Sequence, residues 1–589
     1  MGFYEQFPYT NFHEMNLNWI ISEIKNIPDK IESALESNTD IQNIIAELLK
    51  NKTMIRVYDT FIDLIGDAKN VMPESVVFCK GYYNTTDNTN ALYVIKSKSK
   101  DRVNEIDLGY GKCAVCARDE YDIDVSWLGA VPSRYDNKIA ESENALYKIF
   151  EEIKVPFEKY KNGVRRSYTL KFPSGLYYIN KPVHILGRTT IEGAGANSQI
   201  SSKFNTNTIF IMNGAESKLL ISGYDESGNP VQGGLVNKDS ETYFRAESVS
   251  IKNITMISES SYNVAIAGFL CPLMTVENVT IMSSKVGMYL DCSWLSRFDN
   301  VIINSECYNI VLAQSSAGTT INHCLLTARQ LQNTEQIKNL YDLNKMMPSA
   351  ENNYYSSNIL LYKLNEVSIN HTSPENSIFC VVSNGCEKVS INNCDFEKFK
   401  GGVYAVNSKN ISVNDCSCWN PVAKTGSLVY AIGSFVECKG CYVTPQEVCL
   451  HNENSHVIVD KCTVGTDIDF SNVTTLQGSL GRKITFAKML GGGLTFTITN
   501  GGAIVERQYF GNVTDPVVPE SFSWKPKNIP SFIITKPSGE SKVIYLEDKG
   551  EGIKFYQAGV TEALTSASFS GYNSIVSLNE FSINRCLTD

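Results

Sequence analysis

Through the middle of the chain, apolar and polar residues alternate in short bursts that return at a fixed interval. Val367-Ser368-Ile369-Asn370 recurs as Val389-Ser390-Ile391-Asn392 and again as Ile411-Ser412-Val413-Asn414, each step being 22 residues. Looser copies flank these: Ile254-Thr255-Met256, Val279-Thr280-Ile281, Val301-Ile302-Ile303-Asn304, Thr319-Thr320-Ile321-Asn322, Val436-Glu437-Cys438 and Val457-Ile458-Val459-Asp460. Where neighbours are clear, the spacing runs from 18 to 25. No single copy can bury its own apolar face, so the period predicts a solenoid whose stacked repeats share one core. The period-two alternation within each copy makes the repeats strands, not helices. The expected fold is mainly β, a right-handed parallel β-helix over 125–465.

Further positions repeat with the strands. Three residues past the third position a cysteine returns, at Cys324, Cys394, Cys416, Cys441 and Cys462. Small buried hydrophobes on rungs about 4.8 Å apart would stack into an inner column without redox function. Asn322, Asn370, Asn392, Asn414 and Asp460 predict a second column, satisfying backbone groups at a tight bend. Thr255, Thr280, Thr320, Ser368, Ser390 and Ser412 predict an outward stripe of small polar side chains.

An open stack needs caps. Ile139, Leu146, Ile149, Phe150 and Ile153 fall on one face of a predicted helix that would plug the N-terminal end. From about Thr466 the rhythm gives way to short apolar strands and Gly-rich turns such as Gly491-Gly492-Gly493, which predicts a C-terminal β domain over 466–589. At the other end, Trp19, Ile20, Ile24, Ile27, Ile31 and Leu35, then Ile41, Ile44, Ile45, Leu48 and Leu49, make helical apolar stripes over 1–55 that need partners.

Composition narrows the function. The net charge of −10 and a pI near 5.4 argue against nucleic-acid binding. The longest apolar stretch, Val264 to Val276, contains Pro272 and is too short to span a bilayer, so no membrane insertion is expected. The opening Met1-Gly2-Phe3-Tyr4-Glu5-Gln6 has neither the basic flank nor the apolar run of a secretory signal, so export by the usual route is not expected. Seventeen cysteines in so large a chain predict reduced, buried thiols. Cys113/Cys116 and Cys438/Cys441 each have half of a zinc spacing without a second pair, and no metal or cofactor is expected. Phosphate-loop, nucleophile-elbow and zinc-protease motifs do not occur.

Trp127-Leu128-Gly129-Ala130, the helix near 139–153, Leu170-Lys171-Phe172-Pro173-Ser174-Gly175-Leu176-Tyr177-Tyr178-Ile179 and Thr190-Ile191-Glu192-Gly193-Ala194-Gly195 resemble the opening of pectate-lyase-like β-helix proteins. Gly81-Tyr82-Tyr83, Asp87 and Ala91-Leu92-Tyr93-Val94-Ile95 look like the small head domain, here 56–124, that precedes the β-helix in phage tailspikes. The segment Phe3 to Ile20 resembles the N-termini of tail appendages from short-tailed phages of Gram-positive hosts. The resemblance implies a homotrimeric tailspike of the virion, assembled in the host cytoplasm. It would attach by its N-terminus to tail, collar or portal-associated proteins. Its receptor would be a host cell-surface polysaccharide, teichoic acid or capsule. The family's Gly-Asp-Gly followed by paired Asp is here Pro132-Ser133-Arg134-Tyr135-Asp136-Asn137, so catalytic inheritance does not follow.

Hydrolysis of a glycosidic bond calls for two carboxylates a few ångströms apart, and neighbouring rungs can supply them. The position after the Asn column carries His323, His371, Asn393, Asp415, Gly440 and Lys461. His371 and Asp415 would lie two rungs apart, about 10 Å, with Asp395 and Glu397 in the adjoining turn. These four are the candidate catalytic residues of a depolymerase, hydrolase or lyase, although such residues are also ordinary in solenoid turns. The insertion from Thr327 to Asn358 interrupts the repeat, and Tyr341, Tyr354 and Tyr355 in it are candidates for stacking on sugar rings.

Overall fold

The computed structural model describes residues 55–443 apart from 88, 98–102, 134–137, 197–206, 215, 232–243, 259–263, 283, 315–316, 329–356, 400 and 420–426; it also describes 14–15 and, from 448 onward, the backbone of the strands alone. Two compact units result, one of residues up to 230 with 246–259 and 277–280, the other of the remaining chain. The N-terminal stripes, the insertion tyrosines and Cys462 lie outside the described side chains.

In the first unit, Ile55–Thr60 and Val76–Gly81 pair in parallel around a short helix, Phe61–Gly66. Thr60 and Asp63 cap that helix reciprocally. Ala91–Ser97, Lys112–Cys116 and Glu105–Gly109 extend the sheet in antiparallel fashion. Trp127 ties this head to the next stretch of chain: its Nε1 donates to the carbonyl of Thr89 and its own carbonyl accepts from Tyr93 Oη at 2.6 Å. Parallel pairing then begins, Asp122–Asp124 on Tyr168–Phe172 and the latter on Thr189–Gly193. The helix Ile139–Ile153 forms where the apolar face predicts it, with Leu146, Ile149, Phe150 and Ile153 buried and Ile139 half-buried. It packs against Gly175–Ile179 and Val183–Ile185.

The second unit is a parallel β-helix, right-handed as parallel crossovers of L-residues are. One ribbon stacks Val264–Phe269, Val286–Asp291, Tyr308–Ala313, Ser357–Tyr362, Phe379–Asn384, Gly401–Val406 and Ser427–Ile432 in register. A second ribbon holds the repeat noticed in the sequence, Thr319–Asn322, Asn365–Asn370, Glu387–Asn392, Lys409–Asn414 and Phe435–Lys439. A third, narrow ribbon runs beside it: Leu325–Ala328, Ser373–Glu375, Asp395–Glu397, Ser417–Trp419 and Tyr442–Val443. The stack continues in parallel to His456–Val464 and Lys483–Leu490, after which antiparallel pairing takes over at Leu494–Asn500 and Ala503–Phe510.

Single residues of positive φ turn each rung. Lys363, Gly385, Asn407 and Gly433 come after the first ribbon, and Glu366, Lys388 and Asn410 stand at the start of the second. His323, His371, Asn393, Asp415 and Gly440 separate the second from the third, and Asn376 and Lys398 end the third. Asn, Asp and Gly dominate because the left-handed region costs them least.

The residue after the second-to-third corner points inward. Cys324, Cys394, Cys416 and Cys441 are buried there; the Sγ–H of the first three donates to the carbonyl two residues back, at 3.1, 3.4 and 3.3 Å, whereas Cys441 Sγ lies nearer the Val413 carbonyl, at 3.3 Å, than that of Lys439, at 3.6 Å. Thr372 takes the place on the remaining rung and its hydroxyl makes the same bond at 3.0 Å. The column is therefore more than small hydrophobes: it tethers the corner. Burial pushes the Cys324 thiol up to about 12, which keeps it protonated and a donor. No cysteine among the described residues is in a disulfide.

Three expectations need correction. The Asn column bonds to itself instead of to the backbone. Asn370 Nδ2 donates to Asn322 Oδ1, Asn392 Nδ2 to Asn370 Oδ1 and Asn414 Nδ2 to Asn392 Oδ1, at 2.8, 2.8 and 2.9 Å. In-register stacking at one rung spacing sets amide above amide, so each finds the next before it finds a carbonyl. Backbone groups are satisfied by two buried asparagines the repeat does not reveal: Asn309 donates to the carbonyls of Ile303 and Thr327, Asn358 to those of Leu326 and Glu375. The Ser/Thr stripe is outward only in part. Ser368, Ser390 and Ser412 are half-exposed, whereas Thr255 and Thr280 are 2% exposed. The insertion is also narrower than its sequence bounds, since Thr327 and Asn358 are strand residues.

Candidate functional site

The third ribbon alternates strictly. Pro374, Phe396 and Cys418 are buried, and the residues on either side of each face outward. The register aligns Asp395 with Ser417 and Ser417 with Tyr442, and it aligns Glu375 with Glu397 and Glu397 with Trp419. Two outward columns result, carboxylates at one end and aromatic rings at the other. Trp419 and Tyr442 are 42% and 36% exposed, their ring centroids 5.3 Å apart and inclined at 39°.

Electrostatics couples the carboxylates. Burial first, and then the charge of Glu397, push the Glu375 carboxyl above its ordinary range; Ser373 Oγ donates to Glu375 Oε1 at 3.4 Å. Burial likewise raises Asp395, helped by Glu397 and opposed by hydrogen bonds from Ser417 and Trp419. Lys398 Nζ lies 3.5 Å from Glu397 Oε1. Two raised carboxyls on neighbouring rungs form an arrangement in which a group can hold a proton for transfer.

Of the four candidate catalytic residues, Asp395 and Glu397 share this strip. His371 and Asp415 occupy the corner row, both exposed, with φ of +48° and +51°. They stand two rungs apart, the register running Asn370 to Asn392 to Asn414. His371 stacks instead on His323, centroids 5.2 Å apart. His323 Nδ1 lies 3.1 Å from Asp299 Oδ1, and Arg297 Nη2 donates to Asp299 Oδ2 at 2.7 Å, holding that carboxyl below its usual range. Gly440 continues the row at φ +67°, where a Cβ would strike Asp415 Oδ1. Tyr341, Tyr354 and Tyr355 lie outside the described residues.

Glu375, Trp419 and Tyr442 are not among the residues the sequence singles out. The period marks two of them, since 22 residues back from Glu397 is Glu375 and 22 forward is Trp419. The short ribbon hides that signal, because three-residue strands show too little alternation to stand out beside the longer repeat.

No protein-family model matches this chain, and no curated protein matches it. Among solved structures it is similar to the gp42 tailspike of Acinetobacter phage vb_AbaP_AS12, at 10% identity and a TM-score of 0.47 over 89% of this chain and 94% of that one. It is similar to the A-module of the Azotobacter vinelandii mannuronan C-5 epimerase AlgE6, at 11% identity and 0.37 over 63% and 99%. A third likeness is to PfbA, a surface adhesin of Streptococcus pneumoniae, at 12% identity and 0.36 over 72% and 98%.

Proposed function

We propose that this chain is a phage tail appendage of the tailspike kind, whose β-helix binds a polysaccharide of the host surface, teichoic acid or capsule. The observation that carries this is the outward strip of the third ribbon, where Trp419 and Tyr442 offer apolar faces with polar tips beside aligned carboxylates. A stack of identical rungs gives such a strip length in one direction, which suits a polymer better than a small molecule. In this proposal 1–55 attaches to the virion through helical stripes, 56–124 is the head, 125–465 the β-helix and 466–589 a trimerisation or receptor-binding domain.

Depolymerisation of the bound polymer is the second function to weigh, and the raised Glu375 and Asp395 beside Glu397 favour it. One experiment separates the two. Purified protein is incubated with host wall or capsule polymer, and both retention and new reducing ends or unsaturated sugars are followed. Retention without product, with affinity lowered about tenfold or more by Trp419→Ala, is the outcome expected of a binding protein. Product release abolished by Asp395→Asn but not by Asp415→Asn would make it an enzyme acting at the strip. Absence of retention by any host polymer would end the polysaccharide assignment.

A further inference from the structure

Two histidines face each other although 48 residues separate them along the chain. His323 and His371 follow the Asn column on successive rungs, in the register Asn322 to Asn370, and their rings stack at 5.2 Å and 25°. Their backbones are pinned: the His323 amide donates to the Asn370 carbonyl and the His371 amide to that of Asn392, both at 3.1 Å. Both side chains are open to solvent, His323 to 64%.

Asp299 decides which nitrogen of His323 is available. Arg297 Nη2 donates to Asp299 Oδ2 at 2.7 Å and holds that carboxyl ionised, so in the 3.1 Å contact with His323 the carboxylate Oδ1 accepts and Nδ1–H donates. The proton of the neutral ring then sits on Nδ1, and Nε2 keeps its lone pair. An imidazole fixed through one nitrogen by a carboxylate is the arrangement found behind histidines that ligate metals. The χ2 rotation of His371 is soft, so its ring can turn a nitrogen towards an ion held at His323 Nε2. Late divalent transition metals favour such nitrogen donors, whereas calcium and magnesium take oxygen. No group of three or more His, Cys, Asp or Glu among the described residues is placed to hold a metal, so the protein's share would be the two imidazoles. We propose that His323 and His371 bind a divalent late transition metal such as zinc between neighbouring rungs, with Asp299 orienting His323 and the other coordination positions left to water or an oxyanion. Neither histidine belongs to the strip of the third ribbon, and the site does not depend on polysaccharide binding.

Calorimetric titration of the untagged full chain with zinc chloride tests this, calcium and magnesium being the contrasting ions. Zinc is expected to bind, and an excess of calcium or magnesium should not displace it. His323→Asn and His371→Asn should each weaken zinc about tenfold or more; asparagine fits this corner, since Asn393 occupies it at φ +51°. Asp299→Asn keeps the shape, removes the charge and should weaken zinc about tenfold. Cupric ion bound to the unaltered chain should show hyperfine splitting from two nitrogens in its paramagnetic resonance spectrum, a readout that needs no variant to fold. Absence of zinc heat at millimolar ion overturns the site, as does wild-type affinity in either histidine variant, displacement by calcium or magnesium, or a copper spectrum without nitrogen splitting. Wild-type affinity in Asp299→Asn overturns the orienting role given to Asp299.

Discussion

His184 shows how one side chain can set a pH dependence. It is 7% exposed, its Nε2 lies 3.0 Å from the Ser222 carbonyl and hydroxyl, and its Nδ1 has no hydrogen-bond partner among the described residues. Burial, opposed by the hydrogen bond with the Ser222 backbone and with smaller and opposite contributions from Lys154 and Glu151, lowers its pKa from 6.5 to about 4. Above pH 6.5 the ring is neutral folded or unfolded, and its contribution is fully present. As the pH falls, the unfolded chain takes up a proton that the folded ring refuses until about pH 4, so stability is lost across that window. The loss should reach about 3 kcal/mol. Chemical denaturation at pH 6.5 and pH 4 checks this by comparison with His184→Gln, which should lack that component of the slope; equal slopes would refute it. The same scale explains the corner row. His371 and Asp415 both stand at a corner of positive φ, a backbone position that favours Asn, Asp and Gly and so gives Asp415, Asn393 and Gly440 a conformational reason to be there.

At the scale of elements, the helix Ile139–Ile153 combines two jobs. Its inner face buries Leu146, Ile149, Phe150 and Ile153, and the helix packs against Gly175–Ile179 and Val183–Ile185. Its outer face holds a loop, since Tyr147 Oη accepts from the backbone amides of Asn180 and Lys181 at 2.8 and 3.1 Å and donates to Glu143. Lys181 Nζ sits 4.1 Å from the centre of the Tyr147 ring. Ser142 Oγ donates to the Val131 carbonyl at 2.6 Å, fixing the approach of the chain. Truncating Phe150, 2% exposed, to alanine should cost about 3–5 kcal/mol; it should also loosen the cover over strand edges that pair readily with other chains. A fall in thermal midpoint together with concentration-dependent light scattering is the expected signature. A midpoint within a degree of wild type would mean the helix is not a cap.

For the whole molecule, the proposed assembly is a homotrimer. Half-exposed Ser368, Ser390 and Ser412 make a weakly charged face beside the Asn ladder, where close approach of a sister chain or a glycan costs little desolvation. Sedimentation equilibrium of the full chain should then return about three times 65.5 kDa; a monomer at micromolar concentration would rule the trimer out. No helix among the described residues is long and apolar enough to cross a membrane.

The fold class, the length of a rung, the inner cysteine column and the cap helix were all legible in the sequence. Each comes from periodicity, and burial enforces periodicity directly: an apolar residue out of step would face water. What the amides of the Asn column bond to, and which outward residues gather into a strip, depend on how one rung sits over the next. Glu375, Glu397 and Trp419 follow one another at 22-residue steps, far apart along the chain. Only parallel stacking in register, with a corner of positive φ before each short strand, sets them side by side and gives the strip its charge and its face.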